Sequence, residues 1–301
     1  MKELVTIILP VYNGEKYIEQ MLNSIYLQDY RPIEVIISDD ASKDKTVRII
    51  CTWLKNKCMN NIYFKVVKNK RNIGLSGNIS KAAKYVHGKY LFLADQDDLW
   101  VVKKVSEQVE YLKENTDCEM CICDRSIIDE KNRIVCKSLM RYEHINFQKR
   151  GYKEVLNHGS EYPANTICLK TEHLNKLFPI PHQVCEHDTF IAIMAVHFGN
   201  IGFVRKPLTL YRIHDNNVSG NYALELEKNP LRLICVVMRI VKRTKKRNSV
   251  DPVVIKDELK KRFNEYTTDF STSMYEKEIK SVYIASAKYL WRNFYRWKRF
   301  V

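Results

Sequence analysis

Apolar and polar positions follow two recurring patterns along the first hundred residues. Short uncharged runs rich in β-branched side chains are typical of strands that are buried on both faces of a parallel sheet. Between these runs, apolar side chains recur as on one face of a helix, for example at Ile18, Leu22 and Ile25. The patterns predict strands over 5–11, 33–40, 62–69 and 89–95, and helices over 15–27, 43–57 and 74–86. This alternation predicts an α/β fold with a parallel, doubly wound sheet.

The later part of the chain has a less regular pattern. It predicts helices over 101–113 and 186–199, paired strands over 118–124 and 133–139, a strand over 164–169, and a strand that runs into a polar loop over 203–220. The residues from 221 to 301 have the pattern of helices rich in Lys, Arg and aromatic side chains. We therefore expect one domain over 1–220 and a basic, aromatic-rich helical extension over 221–301.

The composition indicates a globular chain without a membrane-spanning helix. Of its 301 residues, 45% are hydrophobic and 28% are charged. The N-terminal apolar run is short and reaches Pro10, which is typical of a buried strand and not of a signal peptide. A later apolar stretch over 233–241 is interrupted by Arg239, whereas a bilayer span needs roughly 20 apolar residues.

Nine cysteines are scattered through apolar segments. An odd number without a regular spacing favours reduced thiols and a cytoplasmic protein. Cys118, Cys121 and Cys123 lie close together, but no second Cys or His pair follows them. We interpret them as small apolar side chains on a strand rather than as metal ligands.

The net charge of +15 is unevenly distributed. Residues 1–220 hold 31 basic and 26 acidic side chains, whereas 221–301 hold 19 and 9, so the last segment has a net charge of +10. Its basic stretches at 239–247 and 291–299 interleave cations with apolar and aromatic side chains. Three interpretations are open for them: they form solvated helix faces, they contact an anionic membrane surface, or they bind nucleic acid.

A cluster of acids follows the fourth predicted strand in the sequence LFLADQDDLW. Asp95, Asp97 and Asp98 repel one another, and oxygen ligands at a strand end suit a hard cation such as Mg²⁺ or Mn²⁺. A solvated acidic turn is the alternative. The chain has neither a GxxxxGK[ST] nor a GxGxxG motif, which argues against the common nucleoside-triphosphatase and dinucleotide-binding classes.

Polar side chains also follow the first two predicted strands. Tyr12 and Asn13 follow the first, and Asp39 and Asp40 end the second. Ligands of doubly wound sheets bind outside the carboxyl ends of the strands. We therefore expect these residues and the acid cluster to converge at one edge of the sheet.

Six segments together resemble the family 2 glycosyltransferases with the GT-A fold, over roughly residues 4–220. In order they are PVYNGEKYIEQMLNSI, SDDASKDKT, NIGLSGN, GKYLFLADQDDLW, HDTF and YRIHDNNVSG. The forms DQDDLW and YRIHDNNVSG are most similar to the bacterial polysaccharide branch, which includes rhamnosyltransferases. The resemblance implies a GT-A (Rossmann-like), mostly parallel sheet flanked by helices.

The resemblance also implies a site for a nucleoside-diphosphate sugar. Tyr12 would stack on the pyrimidine base, Asp40 would accept the base N–H with support from Asp39, and Asn72, Gly74 and Asn78 would line the ribose. Pro10, Asn13 and Glu15 belong to the same nucleotide-binding segment. The simpler interpretations are a strand-end core residue for Tyr12 and turn chemistry for the two acids.

The acid cluster and a late histidine would form the metal site of this family. Asp95 and Asp97 match its DxD motif and, together with Asp98, would bind the metal and the ribose of the nucleotide sugar. Asp98 is the preferred direct ligand, and Asp97 and His214 would complete the protein ligands of Mn²⁺ or Mg²⁺. Arg212 is a weaker candidate for contact with the diphosphate.

Asp188 matches the catalytic base of the family, with Glu186 as the alternative, because the chain has EHD where many relatives have adjacent acids. An acid in the first turn of a helix is also favoured by the helix dipole alone. The implied reaction is a direct, inverting displacement at the anomeric carbon.

The resemblance implies a sugar donor that is either dTDP-rhamnose or a UDP-hexose, and a glycan acceptor that is lipid-linked. We expect synthesis of cell-surface polysaccharide at the cytoplasmic face of the membrane, with the basic extension on anionic lipid and no nucleic-acid partner. The rival from another class is a non-catalytic sugar-nucleotide-binding or scaffold protein of the same fold.

Overall fold

The computed structural model describes residues 2–142, 162–181 and 187–214. The strands are β1 Val5–Val11, β2 Ile33–Asp39, β3 Ile62–Lys68, β4 Tyr90–Leu93, β5 Leu99–Trp100, β6 Cys118–Ile128, β7 Ile134–Cys136, β8 Ile167–Lys170 and β9 Asn200–Arg212. The helices are α1 Ile18–Tyr26, α2 Thr46–Lys55, α3 Leu75–Ala83, α4 Lys104–Glu114, α5 Leu139–Tyr142, α6 Leu174–Leu177 and α7 His187–Phe198, with a 3₁₀ turn at Ala164–Thr166. The predicted extension over 221–301 lies outside the described residues.

The strands form one mixed sheet in the order β3-β2-β1-β4-β8-β6-β9-β5, and β7 pairs with β6. The pairs β1–β2, β2–β3, β1–β4 and β6–β9 are parallel. The strand β8 joins the two halves of the sheet, because it pairs antiparallel with both β4 and β6. The doubly wound half is therefore confirmed, and the order reverses beside β1, where such sheets bind ligands.

Two apolar clusters cover the two faces of the sheet. One contains Ile8, Leu91 and Phe190, and the other contains Ile7, Phe92 and Trp100. Adjacent residues of β1 and β4 thus lie in different clusters, because successive strand side chains point to opposite faces. Burial on both faces explains why these strands are continuous apolar runs.

Three elements differ from the sequence prediction. The predicted strand over 164–169 begins only at Ile167, because residues 164–166 form the 3₁₀ turn. Leu99 and Trp100 form a strand that was not predicted and pair with Leu210 and Thr209 of β9. The second strand of the pair expected over 133–139 is limited to Ile134–Cys136, and α5 follows it.

Cys118, Cys121 and Cys123 are buried on β6, as predicted, and are free thiols. Within the described ranges, no three His, Cys, Asp or Glu side chains are arranged as a ready-made metal site. No helix of this part of the chain is both long and apolar enough to cross a bilayer.

Candidate functional site

The carboxyl ends of β1, β2 and β4 bring the predicted nucleotide-binding segments together. Tyr12, directly after β1, is 41% exposed and is one of the exposed aromatic side chains of the described chain. Its backbone N–H donates to Oε1 of Gln96 at 2.9 Å, and Nε2 of Gln96 donates to the Tyr12 carbonyl at 3.0 Å. The side chain of Gln96 thus ties the exposed aromatic residue to the acid loop.

The segment after β1 is also bonded to the segment after β2. The Asn13 N–H donates to Oγ of Ser42, and Oδ1 of Asn13 accepts from the Lys43 N–H. Glu15 accepts from the Lys45 N–H at 2.9 Å. Asn13 has a φ of 48°, a left-handed conformation that non-glycine residues adopt at an energetic cost. Asn13 and Glu15 therefore shape this edge of the sheet through loop contacts.

Asp40 is almost fully buried and organises the turn before α3. Its Oδ1 accepts from Nδ2 of Asn69 at 2.7 Å and from the Ile73 N–H, and its Oδ2 accepts from the Gly74 N–H at 2.9 Å. Gly74 has a φ of 79°, which a side chain would strain. Asp40 thus fixes the position of the turn, in agreement with the alternative interpretation of turn chemistry.

Asp39 has fewer partners. Its Oδ1 accepts from the Ser42 N–H at 3.2 Å, and its Oδ2 has no hydrogen bond to a residue that the structure describes. Of the two neighbouring acids, Asp39 keeps more hydrogen-bonding capacity for a ligand. This geometry favours Asp39 over Asp40 as the acceptor of a base N–H.

The other predicted ribose residues differ in exposure. Asn72 is exposed and accepts from the Gly74 N–H. Asn78 is 1% exposed, and its amide bonds to the carbonyl and hydroxyl oxygens of Ser38. Pro10 is buried in β1. Asn78 and Pro10 help to position the strand ends, and their predicted contact with the nucleotide sugar stays a prediction.

Asp98 is the most enclosed acid of the cluster. It is 0% exposed, its Oδ2 accepts from Nδ2 of Asn165 at 2.5 Å, and its Oδ1 accepts from the Arg212 N–H at 3.0 Å. Burial, followed by the charges of Asp95 and Asp97, raises the pKa of Asp98 well above its usual value, and the two hydrogen bonds oppose this effect.

Asp97 and His214 lie next to each other, as the resemblance implies. Nε2 of His214 is 2.9 Å from Oδ2 of Asp97. The His214 ring also packs against the ring of Tyr17, with centroids 5.2 Å apart. Two predicted metal ligands from distant parts of the chain are thereby brought into hydrogen-bond contact.

Arg212 does not lie at the surface of the site. It is 0% exposed, and its guanidinium donates to the Asp97 carbonyl at 2.7 Å, to Oδ1 of Asn132 at 2.5 Å and to Oε1 of Gln20 at 3.1 Å. The guanidinium also lies 4.5 Å from the Tyr17 ring centroid. These contacts favour a positioning role for Arg212 and do not support the predicted contact with the diphosphate.

Asp95 links the acid cluster to the predicted base. Burial of its carboxyl group, then the charge of Asp97 and then that of Asp188, raises the pKa of Asp95 to about 7, whereas the cation of Arg125 lowers it. Asp188 is in the first turn of α7, and its Oδ1 accepts from the Thr189 N–H at 2.7 Å. Glu186, the alternative base, lies outside the described residues.

Three residues of the site were missed by sequence reasoning. Gln96 stands between two motif acids and gave no separate signal, and a Cβ added to Gly14 would lie 2.3 Å from Oε1 of Gln96. Asn165 is 67 positions from Asp98, so no local pattern indicates their contact. Of these three residues, only Gly14 could have been suggested by the sequence, through the glycine in PVYNG.

The residues present fit a divalent cation of the Mg²⁺ or Mn²⁺ kind. The acids offer oxygen ligands, and the pKa values of Asp95 and Asp98 are raised first by burial and then by mutual repulsion, which a cation would relieve. Mg²⁺ usually takes only one or two carboxylates and completes its shell with water and substrate phosphates. A ready-made group of three protein ligands is therefore not required here.

Comparison with known proteins decides the family. The sequence profile described as "Glycosyl transferase family 2" matches residues 6–177, which contain the acid cluster and all the strand-end segments described above. The chain belongs to glycosyl transferase family 2. This glycosyltransferase has the GT-A fold, as the resemblance implied.

One curated relative and two solved structures show which proteins this glycosyltransferase resembles. It is 28% identical over 238 residues, 77% of this chain and 87% of the relative, to the UDP-Glc:alpha-D-GlcNAc-diphosphoundecaprenol beta-1,3-glucosyltransferase WfaP of Escherichia coli. TarS 1–349 of S. aureus in complex with UDP-GlcNAc aligns with a TM-score of 0.62 at 18% identity, over 95% of this chain and 79% of that one.

The mannosyltransferase PcManGT from Pyrobaculum calidifontis, in complex with GDP-Man and Mn²⁺, aligns with a TM-score of 0.60 at 17% identity, over 99% and 83% of the two chains. The alignment of this glycosyltransferase with another TarS 1–349 structure covers 60% of the TarS chain. At these identities the solved structures establish the likeness of fold alone.

Proposed function

We propose that this glycosyltransferase transfers a hexose from a UDP-sugar to a lipid-linked glycan in the synthesis of a bacterial surface polysaccharide. The observation that carries the proposal is the convergence of Tyr12, Asp39 and the acid loop at one edge of the sheet. The names of WfaP and of the TarS complex, which state a UDP-sugar, support the donor. The diphosphoundecaprenol in the name of WfaP supports the acceptor.

The pyrimidine of the donor stacks on the exposed ring of Tyr12 in this proposal. The unoccupied lone pairs of the Asp39 carboxylate accept the N–H of the uracil. Asn72, exposed beside the turn that Asp40 fixes, lies on the ribose side. Asp40, Asn13 and Glu15 act by holding in position the segments after β1 and β2 and the turn before α3, as their backbone contacts support.

Asp98, Asp97 and His214 are the residues that would hold Mn²⁺ or Mg²⁺. When bound, the cation supplies positive charge beside the departing nucleoside diphosphate. The Mn²⁺ in the PcManGT complex supports this choice of cofactor. The hydrogen bonds of Asn165 and Arg212 to Asp98 keep its carboxylate oriented within the buried cluster.

Asp188 is the general base in this proposal. Its carboxylate removes the proton of an acceptor hydroxyl, and that oxygen bonds to the anomeric carbon as the bond from this carbon to the diphosphate oxygen breaks. The electrostatic influence of Asp188 on Asp95 supports its location beside the acid cluster. One displacement inverts the anomeric configuration and needs no covalent enzyme intermediate.

The test is a transfer assay with labelled UDP-glucose, UDP-galactose, UDP-N-acetylglucosamine and dTDP-rhamnose, with diphosphoundecaprenol-linked N-acetylglucosamine as the acceptor probe. We expect transfer from one UDP-sugar, in Mn²⁺ or Mg²⁺, with a product of inverted configuration by NMR. Transfer from dTDP-rhamnose alone would contradict the donor assignment. A product of retained configuration would contradict the direct displacement.

A further inference from the structure

The side chain of Asn165 joins the acid cluster from a distant element. It lies in the 3₁₀ turn before β8, is 1% exposed, and donates from Nδ2 to Oδ2 of Asp98 at 2.5 Å. The turn itself is fixed, because Thr209 donates to the Asn165 carbonyl at 2.9 Å and Gln108 donates to the Thr166 carbonyl at 2.8 Å. Asn165 therefore holds Asp98 from a rigid support.

The other amide atom of Asn165 has no partner. Its Oδ1 is buried and accepts no hydrogen bond from any residue that the structure describes. A buried acceptor without a donor is costly, and most such atoms in folded proteins are satisfied by protein or by ordered water. The other end of the amide is occupied, because Nδ2 donates to Oδ2 of Asp98. The fold therefore keeps this amide at a cost, with its N–H₂ group on Asp98.

We propose that Asn165 is a further positioning residue of the donor site, which orients Asp98 for the divalent cation. The inference rests on the proposed function. It fits the tendency of metal-ligating carboxylates to be hydrogen-bonded in turn. Asn165 contacts neither the sugar nor the reacting atoms.

The test measures Mn²⁺ binding to the full-length protein in the presence of UDP, from the EPR signal of free Mn²⁺. In Asn165→Ala we expect binding at least about 10-fold weaker than in the wild type, the usual minimum effect of removing a residue that holds a metal ligand. The matched control is Thr166→Val, which removes one partly buried hydrogen bond of the same turn, from Oγ1 to the Pro163 carbonyl. It should leave Mn²⁺ binding within about 2-fold of the wild type.

A second variant distinguishes positioning from packing even where Asn165→Ala does not fold. Asn165→Asp places another carboxylate against Asp98, so we expect a lower melting temperature in EDTA. Mn²⁺ should then raise this temperature by more than it does in the wild type, because the cation neutralises the added repulsion. A structural role alone would lower the melting temperature equally with and without Mn²⁺.

The outcomes separate the two proposals. If wild-type protein binds Mn²⁺ with UDP and Asn165→Ala binds it equally well, the inference about Asn165 is overturned and the proposed function stands. If Asn165→Asp is not rescued by Mn²⁺, the inference is likewise overturned. If the wild type itself binds no Mn²⁺ in the presence of UDP, both the metal dependence of the proposed function and the role of Asn165 are overturned.

Discussion

Asp39 and Asp40 are neighbours in sequence but differ in what they bind. Asp40 accepts three hydrogen bonds and fixes the turn at Ile73 and Gly74, whereas Asp39 accepts one. The sequence pattern locates both acids at a strand end but contains no information on which one the fold uses internally. That division depends on the position of Asn69 and of the turn, which are about 30 residues away.

The two acids should therefore respond differently to loss of charge. In Asp40→Asn we expect a lower unfolding temperature, because an amide nitrogen would face backbone N–H donors. In Asp39→Asn we expect a near-native unfolding temperature and UDP binding weakened by about 10-fold, the worth of a hydrogen bond to a ligand. Calorimetric unfolding and titration with UDP measure both. If the two variants were equally stable and lost UDP affinity equally, the division of roles between Asp39 and Asp40 would be contradicted.

Gly14 and Gln96 form a second pair at the residue scale. We expect Gly14→Ala to weaken UDP binding, because its Cβ would displace the Gln96 side chain that holds Tyr12. In Gln96→Ala, the side chain that the new Cβ would meet is absent, so adding Gly14→Ala should cause little further loss of UDP affinity. A titration of the four proteins of this double-mutant cycle with UDP measures the coupling. Additive losses would show that Gly14 acts elsewhere.

At the scale of the elements, the sequence predicts long periodic segments well and short ones poorly. The strands β1 to β4 and the helices between them were predicted with small boundary differences, because each presents a repeated face to the core. The strand at Leu99–Trp100 was missed, since two residues show no periodicity and pair only with the distant β9. The 3₁₀ turn at 164–166 was missed for the same reason, and with it the contact of Asn165.

The strand β6 contains an acid with a pH-dependent effect on stability. Burial raises the pKa of Glu119 from 4.5 to about 7, and Glu172 adds to this, while Lys170 opposes it. The folded state therefore binds more protons than the unfolded state between about pH 4.5 and 7, so stability falls as the pH rises through this window.

We expect Glu119→Gln to be more stable than the wild type at pH 8, by about 1–2 kcal/mol after allowance for solvent screening, and to lose most of that advantage at pH 4.5. Urea unfolding at the two pH values measures the difference. The control is Glu107→Gln, because Glu107 is partly exposed and pairs with Lys206 on the surface. An advantage of Glu119→Gln that is equal at both pH values would contradict the assignment.

At the scale of the whole molecule, most of the excess positive charge lies in 221–301, outside the described residues. Its membrane role stays a prediction from charge and pattern. In the full-length protein, we expect replacement of Lys242, Lys245 and Lys246 by Gln to weaken binding to vesicles that contain anionic phospholipid, at about 1 kcal/mol for each lysine near the surface. High salt should weaken the binding of the wild type, because exposed charges are screened.

The matched control for this prediction replaces three exposed lysines of the described chain, Lys55, Lys70 and Lys131, by Gln. The net charge falls by the same amount in both proteins. Vesicle sedimentation compares them with the wild type. Equal weakening in both would indicate a general charge effect and would leave the extension without a specific membrane role.

The central proposal is that the protein is a glycosyltransferase in which Asp188 acts as the base on the acceptor and not on the nucleotide. The decisive measurement compares Asp188→Asn with the wild type in sugar transfer and in UDP-dependent thermal shift with Mn²⁺. We predict transfer lower by about 10²–10⁴-fold, the usual contribution of a general base, and an almost unchanged thermal shift. Near-native transfer by Asp188→Asn would contradict the account.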